Sequence, residues 1–315
     1  MNELETRQLR FFVAVAEELH FGRAAKQLGM AQPPLSRAIR QLERQLGVPL
    51  LNRTTRQVTL TPAGKVLLQD ARTALDAISA AGRRARQAGE PTPRLRLALK
   101  SDIDGGLLPK ILDAYAEEQA ALPVELVLGR AGEQAQAVRD GRADAALLLA
   151  PSDDRGLDYE PLLSEPFLIA IAAGDPLAAR ESLRLADLAG RILPDGSPAD
   201  RGPVLDQHGP VASTVNTTSM PSTTSMPSPP QAASDLSQIL RLIELGSIVC
   251  FLPASVVRRY PRPDIAYRSV EDVQLATLAV AWPQNSHSAA TAAFVRTATT
   301  IAASLASASS AVSIS

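Results

Sequence analysis

Three short helical patterns, separated by turns, occupy the first 47 residues, and this grouping constrains the fold more than any other feature. In each pattern apolar residues recur every three or four positions, as on the buried face of an amphipathic helix. Pro33 and Pro34 fit only the first turn of the third helix, where their missing N–H groups cost nothing, and Gly47 fits its end. The spacing predicts a helix-turn-helix, with the tight turn before the third helix. The apolar positions are Leu9, Phe12, Val13, Ala16 and Leu19, then Ala24, Ala25 and Leu28, then Leu35, Ala38, Ile39, Leu42 and Leu46.

The exposed face of the predicted third helix carries side chains that suit DNA. Glutamine and arginine form paired hydrogen bonds with adenine and guanine edges, and serine bonds phosphate or base. These residues lie in the first two turns, the part of a recognition helix that usually enters the major groove. The alternative, an ordinary solvated polar face, would not need a preceding helix and a tight turn. The predicted DNA contacts on this helix are Gln32, Pro33, Ser36, Arg37 and Arg40.

A second basic feature follows the third helix. Two short extended segments, at residues 49–51 and 58–60, flank Asn52-Arg53-Thr54-Thr55-Arg56 and predict a hairpin, or wing. The basic turn of this wing is placed to reach the DNA backbone or the minor groove. The predicted wing contacts are Arg53, Thr54 and Arg56.

The charge distribution separates this segment from the remainder of the chain. Residues 1–90 contain 14 Lys and Arg against 8 Asp and Glu, whereas residues 91–315 contain 18 against 25. The formal net charge of −1 for the whole chain therefore conceals a basic N-terminal part and an acidic C-terminal part. This asymmetry suggests a polyanion-binding module attached to a different kind of domain. An uneven distribution of solvated surface charge would give the same totals.

Composition restricts the compartment and the general class. With 315 residues, 45% of them apolar, the chain is long enough for two or more domains. The single cysteine, Cys250, cannot form an internal disulfide, which favours a reducing compartment. The chain does not start with a signal-peptide pattern, and the uncharged stretches at 273–295 and 297–315 contain too many polar residues to predict a membrane span. We therefore expect a cytoplasmic protein without a membrane partner.

The segment after the wing predicts one long helix. Thr61 fits its N-cap and Pro62 its first position. A seam of apolar and small residues spaced by three and four follows, and it favours pairing with a second copy of the same helix. The alternative is that the helix packs on its own domain. The seam consists of Leu68, Ala71, Leu75, Ile78, Gly82 and Ala85, and residues 89–93 predict a hinge beyond it.

From residue 94 onward, strand patterns alternate with helix patterns, and a terminal helix is predicted from Ser288. The alternation over 94–149 predicts an α/β domain with a parallel sheet. Asp235 and Gln238 have the spacing of a capping box. Residues 217–228 contain a tandem Ser-, Thr- and Pro-rich hexamer, for which a tolerated loop expansion is favoured over an added partner motif. The predicted strands are 94–99, 124–128, 143–149, 167–172, 248–252 and 273–282.

Many residue types at fixed spacing make the first 64 residues a specific pattern. Ala24-Ala25-x2-Leu28 precedes Gln32-Pro33-Pro34-Leu35-Ser36-Arg37-Ala38-Ile39, and Leu42-Glu43-x2-Leu46-Gly47-Val48-Pro49-Leu50 follows, with Arg53 and Leu60-Thr61-Pro62-Ala63-Gly64 after it. This pattern strongly resembles the winged helix-turn-helix of LysR-type transcriptional regulators. Ala31 departs from the pattern where the family often has a Ser or Thr cap, and Leu51 departs where Phe is usual.

Shorter matches, at residues 141–147 and 242–253, extend the resemblance over nearly the whole chain. It implies an α/β fold class with an N-terminal winged helix-turn-helix (1–60), a linker and dimerisation helix (61–90), and a two-lobed, periplasmic-binding-protein-like effector domain (91–315). One lobe would comprise about 94–164 and 270–305, and the other about 165–269. As partners, the resemblance implies double-stranded promoter DNA, a small-molecule effector and further copies of the chain in a homodimer or homotetramer.

Ligands of open α/β sheets bind beyond the carboxyl ends of the strands. Here Lys100-Ser101-Asp102 follows the first strand of the C-terminal part, and Arg130 follows the second. Lys100 and Arg130 suit a carboxylate or another small anion, whereas Asp102 would repel an anion unless it is paired or turned away. Each residue taken alone is equally consistent with an ordinary polar surface. The predicted effector-binding residues are Lys100, Ser101, Asp102, Arg130, Phe167, Ser197 and Ser247.

The sequence contains no recognisable catalytic constellation. The histidines, His20, His208 and His287, lie in different parts of the chain, without a carboxylate or cysteine at metal-ligand spacing, and no phosphate loop or nucleophile elbow occurs. Cys250 lies in an apolar stretch, where a buried inert thiol is favoured over a redox sensor. We therefore expect no enzyme activity, no metal and no cofactor. The competing class is a solute-binding or enzymatic α/β protein whose N-terminal helices only dimerise it.

Overall fold

The computed structural model describes residues 4–53, 57–150, 155–203 and 235–312. These residues form two compact units, which divide between Arg86 and Gln87. The first unit is mostly helical, and the second combines two β-sheets with helices. The change of architecture lies a few residues before the segment that the sequence predicts as a hinge.

The first unit contains the three predicted helices and the wing. Phe12, Leu35 and Ile39 are fully buried in a core formed by the first three helices, at positions that the apolar spacing predicts. The hairpin pairs Leu51 with Leu60 in antiparallel register. The predicted winged helix-turn-helix is therefore confirmed. The elements are α1 Thr6–Glu18, α2 Phe21–Gln27, α3 Gln32–Leu46, β1 Leu51–Arg53, β2 Val58–Leu60 and α4 Pro62–Gln87.

The starts of α2 and α3 are capped differently. The Nδ1 atom of His20 accepts hydrogen bonds from the backbone N–H groups of Gly22 (3.1 Å) and Arg23 (3.2 Å), so His20 is the N-cap of α2. Ala31 precedes α3 in an extended conformation and provides no side-chain cap. Pro33 lacks an N–H group and thereby reduces the number of unpaired donors at this helix start. The departure from the family pattern at Ala31 therefore removes one cap and leaves the helix start intact.

Thr61 connects the wing to the long helix α4. Its hydroxyl donates a hydrogen bond to the carbonyl of Pro49 (2.7 Å) and accepts one from the N–H of Gly64 (3.0 Å), as expected of the predicted N-cap. Gly64 lies so close to the hairpin that a Cβ atom there would be 2.1 Å from the carbonyl oxygen of Leu50. The Thr-Pro-Ala-Gly motif thus combines a cap with a backbone approach that requires glycine.

The first half of α4 packs on its own unit. Leu68 contacts the core of the helix-turn-helix, and Ala71 is buried. Arg72 bonds the carboxylate of Glu17, on α1, at 2.7 Å. The prediction that Leu68 and Ala71 belong to a seam between two copies is therefore wrong for these two residues, because this end of the helix covers the head to which it is attached.

The second half of α4 presents the remainder of the predicted seam to solvent. Ile78 is 47% exposed, which is unusual for so large an apolar side chain. Gly82 and Ala85 are also exposed, and Leu75 is half-buried. This half of the helix retains a stripe of small and apolar residues that can pack against another helix.

The second unit contains two β-sheets and five α-helices within its described residues. Short 3₁₀ helices at Pro176–Ala179, Leu185–Leu188 and Ala199–Arg201 follow β7 or β8. The elements are β3 Leu95–Leu99, α5 Leu108–Ala116, β4 Val124–Leu128, α6 Glu133–Arg139, β5 Ala145–Ala150, β6 Leu157–Glu165, β7 Phe167–Ala172, β8 Ser182–Leu183, α7 Leu236–Glu244, β9 Cys250–Pro253, α8 Ala254–Arg259, β10 Ile265–Val270, β11 Ala276–Pro283 and α9 Ala289–Val312.

The first sheet has the strand order β4-β3-β5-β11-β6, and the second has the order β8-β10-β7-β9. β3 pairs in parallel with β4 and β5, as predicted for strands joined by crossover helices, whereas β11 pairs antiparallel with β5 and β6. In the second sheet, β7 pairs antiparallel with β9 and β10. β7 enters from the first sheet and lies between the two strands that α8 connects.

Three strands, β6, β8 and β10, are not predicted from the sequence. β6 contains Pro161, which lacks a ladder donor, but β6 lies at the edge of its sheet, where proline is tolerated. The predicted capping box is also wrong: Asp235 precedes α7, but its side chain makes no capping hydrogen bond. The Ser-, Thr- and Pro-rich repeat at 217–228 lies outside the described residues.

Among the described residues, one helix is long and apolar enough, by length and composition alone, to cross a membrane. This helix is the terminal helix α9. Its buried side chains, which include Ala293 and Ala298, join the core of the first sheet. Phe294 contacts Tyr115 of α5 edge-to-face, with 5.4 Å between ring centroids. These contacts explain its apolar composition as that of a core helix.

Candidate nucleic-acid interface and ligand cleft

The outer side of α3 presents a row of polar side chains. Its inner side is fixed in the core by Leu35 and Ile39. Amide, hydroxyl and guanidinium groups that project from one solvent-facing helix can bond base edges and phosphates together. The structure brings all the predicted contacts of this helix to this side: Gln32, Pro33, Arg37 and Arg40 are exposed, and Ser36 is half-buried.

Glu43 connects α3 to the wing. Its Oε1 atom accepts hydrogen bonds from the backbone N–H groups of Leu50 (3.0 Å) and Leu51 (3.2 Å). Its Oε2 atom accepts a hydrogen bond from Nη2 of Arg53 (2.8 Å). Glu43 is part of the sequence motif, which by itself does not indicate a role for it. The signal that could have found it is an acidic residue on an otherwise basic helix, ten positions before a wing arginine.

Arg53 is the last residue of β1 and pairs with Val58, so it lies at the end of the hairpin next to the turn. Besides its bond to Glu43, the guanidinium lies over the ring of Phe21, 4.9 Å from the ring centroid, and 28% of the side chain is exposed. Arg53 therefore adjoins the predicted basic turn, but Glu43 and Phe21 engage its guanidinium within the head. Thr54 and Arg56 lie outside the described residues.

In the second unit, the loop after β3 contains a buried ion pair. The ammonium group of Lys100 bonds both carboxylate oxygens of Asp102. The two side chains are only 12% and 7% exposed, whereas Ser101 between them is exposed. Because Asp102 is paired with Lys100, its charge is neutralised and does not repel an anionic ligand. The same pairing neutralises the positive charge of Lys100.

Charges from both sheets converge on Cys250, a buried residue of β9. Burial raises the pKa of its thiol to about 12, the Lys100 ammonium opposes this shift, and the carboxylates of Asp102 and Asp195 add to it. Asp195 also accepts hydrogen bonds from the N–H (2.9 Å) and the hydroxyl (2.6 Å) of Ser197. The loop after β3 and the loop around Asp195 therefore lie near the same thiol, as expected for the two walls of a cleft.

The other predicted cleft residues are placed differently. Phe167 packs in the core of the second sheet against Phe251, with 6.4 Å between ring centroids, and only 4% of it is exposed. The prediction that Phe167 lines the cleft is therefore wrong, because side chains alternate between the two faces of β7 and that of Phe167 points into the core. Arg130 and Ser247 are exposed at the ends of β4 and α7.

Helix α8 of the second sheet is attached to the first sheet at both of its ends. Asp104 is buried and accepts a hydrogen bond from the N–H of Gly106 (3.0 Å). It also forms an ion pair with Arg259 at 2.8 Å. This ion pair raises the pKa of the Arg259 guanidinium. At the other end, Glu165 accepts hydrogen bonds from the N–H (2.7 Å) and the hydroxyl (2.5 Å) of Ser255. Asp104 follows the Lys100–Asp102 pair directly, so the cleft loop and α8 are joined.

The geometry defines a class of protein: a winged helix-turn-helix unit for DNA, attached to a two-sheet α/β domain of the ligand-binding type. Within the described residues, no group of three or more His, Cys, Asp or Glu side chains could hold a metal ion. Residues 6–65 match the family described as bacterial regulatory helix-turn-helix protein, lysR family, and residues 88–302 match the LysR substrate binding domain. The chain belongs to the LysR family of transcriptional regulators.

Individual relatives agree with this assignment. The HTH-type transcriptional regulator AlsR of Bacillus subtilis is 31% identical, over 90% of this chain and 92% of AlsR. The Hca operon transcriptional activator HcaR of Escherichia coli is 31% identical, over 89% of this chain and 92% of HcaR. The crystal structure of a full-length BenM variant aligns with a TM-score of 0.50 and 25% identity, over 96% of this chain and 97% of that chain.

Family membership confirms the predicted DNA-binding transcriptional regulator with an effector-binding domain, and it confirms DNA and a small-molecule effector as partners. It also confirms that the chain is not an enzyme, since the relatives are regulators. The competing class, a solute-binding or enzymatic protein, is excluded. The DNA and effector contacts of individual residues stay predictions.

Proposed function

We propose that this regulator reads promoter DNA through α3. Gln32, Ser36 and Arg37 contact base edges or neighbouring phosphates, and Pro33 and Arg40 complete the surface. The observation that carries the proposal is the solvent-facing row of these side chains on a helix whose other side is fixed in the core. A rigid helix that projects polar donors from its first two turns fits the major groove. The basic wing then follows the backbone or the minor groove through Thr54 and Arg56, and Arg53 supports the wing from within the head.

Two heads are held together by the second half of α4. The exposure of Ile78, Gly82 and Ala85 supports this, because a free apolar stripe on a long helix gains stability when a second copy covers it. A symmetric pair of heads contacts successive major grooves, about one helical turn or a multiple apart. The resulting assembly is a homodimer, or a homotetramer built from such pairs.

A small molecule in the C-terminal domain changes how the oligomer occupies or bends the promoter. We assign its contacts to Lys100, Ser101, Asp102 and Arg130 on one wall, with Ser197 and Ser247 on the other. Lys100 suits a carboxylate or another small anion, but Asp102 already neutralises it. The effector must therefore displace Asp102 from Lys100, or bond both groups at once, which favours a ligand with a donor beside its anionic group.

These roles divide the chain into residues 1–60 for DNA contact, 61–90 for pairing and 91–315 for effector binding. Within the effector domain, one lobe comprises about 94–164 and 270–305, and the other comprises about 165–269. The two sheets support this division into lobes. The strands of the first sheet lie within 95–165 and 276–283, and those of the second sheet lie within 167–270. We assign the protein to the cytoplasm, where bacterial promoter DNA is located.

A gel-shift titration with the DNA directly upstream of the coding region tests the proposal. We expect a salt-sensitive complex that unlabelled upstream DNA competes away and an unrelated duplex of equal length does not. Equal competition by the two duplexes would contradict sequence-specific reading of this DNA. A thermal-shift screen of small carboxylates, with Lys100→Met as the matched variant, tests the cleft: a compound that stabilises both proteins equally does not bind at Lys100.

A further inference from the structure

The contact between α3 and the wing assigns a role to a residue outside the predicted DNA contacts. We propose that Glu43 is a positioning residue for DNA binding, which fixes the wing relative to α3. Its ion pair engages the guanidinium of Arg53 within the head, so that this group is not free to bind a DNA phosphate. The proposal rests on the proposed reading of DNA by α3 and the wing.

The carboxylate of Glu43 holds the start of the wing through three hydrogen bonds. Oε1 receives the N–H groups of Leu50 and Leu51, and Oε2 receives the guanidinium of Arg53. Leu50 and Leu51 are both buried, so their N–H groups depend on protein acceptors. Glu43 follows Ser36 by seven residues, two helical turns, on the same side of α3. A carboxylate close to the reading surface therefore fixes where the hairpin leaves the helix.

Three elements meet at the guanidinium of Arg53. Phe21 belongs to α2, Glu43 to α3 and Arg53 to β1, and the cation–π contact and the ion pair engage the same charged group. The side chain of Arg53 is 28% exposed and that of Glu43 is 16% exposed, so the ion pair is only partly hydrated. Arg53 therefore fixes the wing against both helices of the helix-turn-helix.

This arrangement predicts a measurable electrostatic signature. Each phosphate that a protein cation neutralises contributes about 0.9 to the magnitude of the slope of log K against log salt. A guanidinium that a carboxylate already neutralises releases few counterions from DNA, so Arg53 contributes little to this slope. Loss of the Glu43 charge frees Arg53 to bind a phosphate and increases the slope, while the wing loses its fixed position.

The test compares Glu43→Gln, Arg53→Met and the double variant in the full-length protein, by fluorescence anisotropy on an unrelated duplex at several salt concentrations. Glutamine keeps an acceptor for the Leu50 and Leu51 N–H groups but loses the charge. We expect Glu43→Gln to increase the slope by about 0.9, Arg53→Met to leave it unchanged, and the double variant to return to the parent value. On upstream DNA, each single variant binds about three- to fivefold more weakly, and the double variant binds no more weakly than either.

Glu17→Gln is the matched control. Glu17 forms an ion pair with Arg72 at 2.7 Å in the same unit, and the two side chains are similarly exposed, at 25% and 29%. That pair joins α1 to α4 and does not touch the wing. We expect Glu17→Gln to change neither the slope nor the affinity for upstream DNA. Circular dichroism melts identify any variant whose head is unfolded. If Glu43→Gln does not fold, the salt dependence of Arg53→Met decides whether Arg53 neutralises a phosphate.

Two results would overturn the proposal. A slope that falls by about 0.9 in Arg53→Met would mean that Arg53 itself neutralises a phosphate. A Glu43→Gln variant that behaves like Glu17→Gln would mean that Glu43 does not position the wing. If the parent protein does not distinguish upstream DNA from the unrelated duplex, sequence reading at that site fails, and the slopes on the unrelated duplex still decide the role of Glu43.

Discussion

The DNA-binding head and the effector domain form their sites in opposite ways. On α3, the proposed contacts come from one helix and face solvent, with Arg37 and Arg40 exposed. In the effector domain, charged groups from distant segments are buried and paired with one another, as Lys100 is with Asp102. The head therefore presents its charges directly to a polyanion, whereas the cleft must exchange an internal partner for its ligand.

This difference has energetic consequences. Removing one exposed charge from the head costs little stability, because water solvates its neighbours. Removing one member of a buried pair leaves the other charge without a partner in a place that water reaches poorly. Substitutions in the head should therefore change DNA binding more than folding, and substitutions in the cleft should change folding and effector response together.

Lys100→Met tests the buried side of this comparison and should have the largest effect. The substitution leaves the Asp102 carboxylate buried without its cation, and we expect a loss of about 3 kcal/mol in unfolding free energy. Chemical denaturation, followed by circular dichroism, measures it. The double variant Lys100→Met with Asp102→Asn should recover most of the loss. A single variant as stable as the parent would contradict the account of the cleft.

Gly64→Ala tests the packing of the head. The added methyl group would meet the carbonyl oxygen of Leu50 at 2.1 Å, so the hairpin must move away from α4, at a cost of about 2–3 kcal/mol. Thermal melts and DNA titrations measure the loss of stability and binding. Gly174→Ala, in the second unit, has nothing within 4 Å and is the matched control. Equal melting of the two variants would show that the head tolerates the methyl group.

Ile78→Asp tests whether the exposed stripe of α4 is a pairing surface. A carboxylate buried between two helices without a partner should weaken dimerisation roughly 100-fold, or about 2.7 kcal/mol. Analytical ultracentrifugation over a range of concentrations measures this change. Val66→Asp is the control, since Val66 is 62% exposed on the same helix but outside the seam. Dimerisation that survives Ile78→Asp would place the interface elsewhere.

Arg37→Ala tests the exposed side of the comparison. Loss of a paired contact to a base should weaken binding to upstream DNA by about 1–3 kcal/mol and relax the preference at one position, with little change in stability. Anisotropy titrations against single-base variants of the duplex measure both effects. Arg44→Ala, an exposed arginine in the last turn of α3, is the control. Identical losses in the two variants would contradict a specific role for Arg37.

The pH dependence at Cys250 gives the smallest expected effect. Burial raises the pKa of the Cys250 thiol in the folded protein to about 12. The protonated thiol therefore contributes fully to the stability of the folded protein at pH values below the pKa of the thiol in the unfolded chain. This contribution is lost as the pH rises from that value toward the pKa in the folded protein. The unfolded thiol ionises near pH 8.5, so about 1 kcal/mol should be lost by pH 9. Urea titrations from pH 7 to 9.5 measure the loss, and Cys250→Ala should not show it. Parallel curves for the two proteins would place the thiol in contact with solvent.

The same contrast explains how much could be predicted from the sequence. The helix-turn-helix is local: Leu35, Ile39 and the exposed row of α3 follow from one periodic stretch, so fold and candidate site emerge together. The cleft depends on tertiary placement. Alternation in β7 distinguishes two faces but not which one is the core, so Phe167 was assigned to the wrong side. Lys100 and Asp102 are only two positions apart in sequence, yet the position of this pair near Cys250 and Asp195 depends on how β7 lies between β9 and β10.

DNase I footprinting of the full-length protein on its upstream DNA tests most directly whether paired heads read specific sequence. We predict two protected segments centred about one helical turn or a multiple apart, which Arg37→Ala weakens and an excess of unrelated duplex does not remove. Uniform protection without defined segments, or a footprint that Arg37→Ala leaves unchanged, would contradict the assignment of α3 as the reading helix.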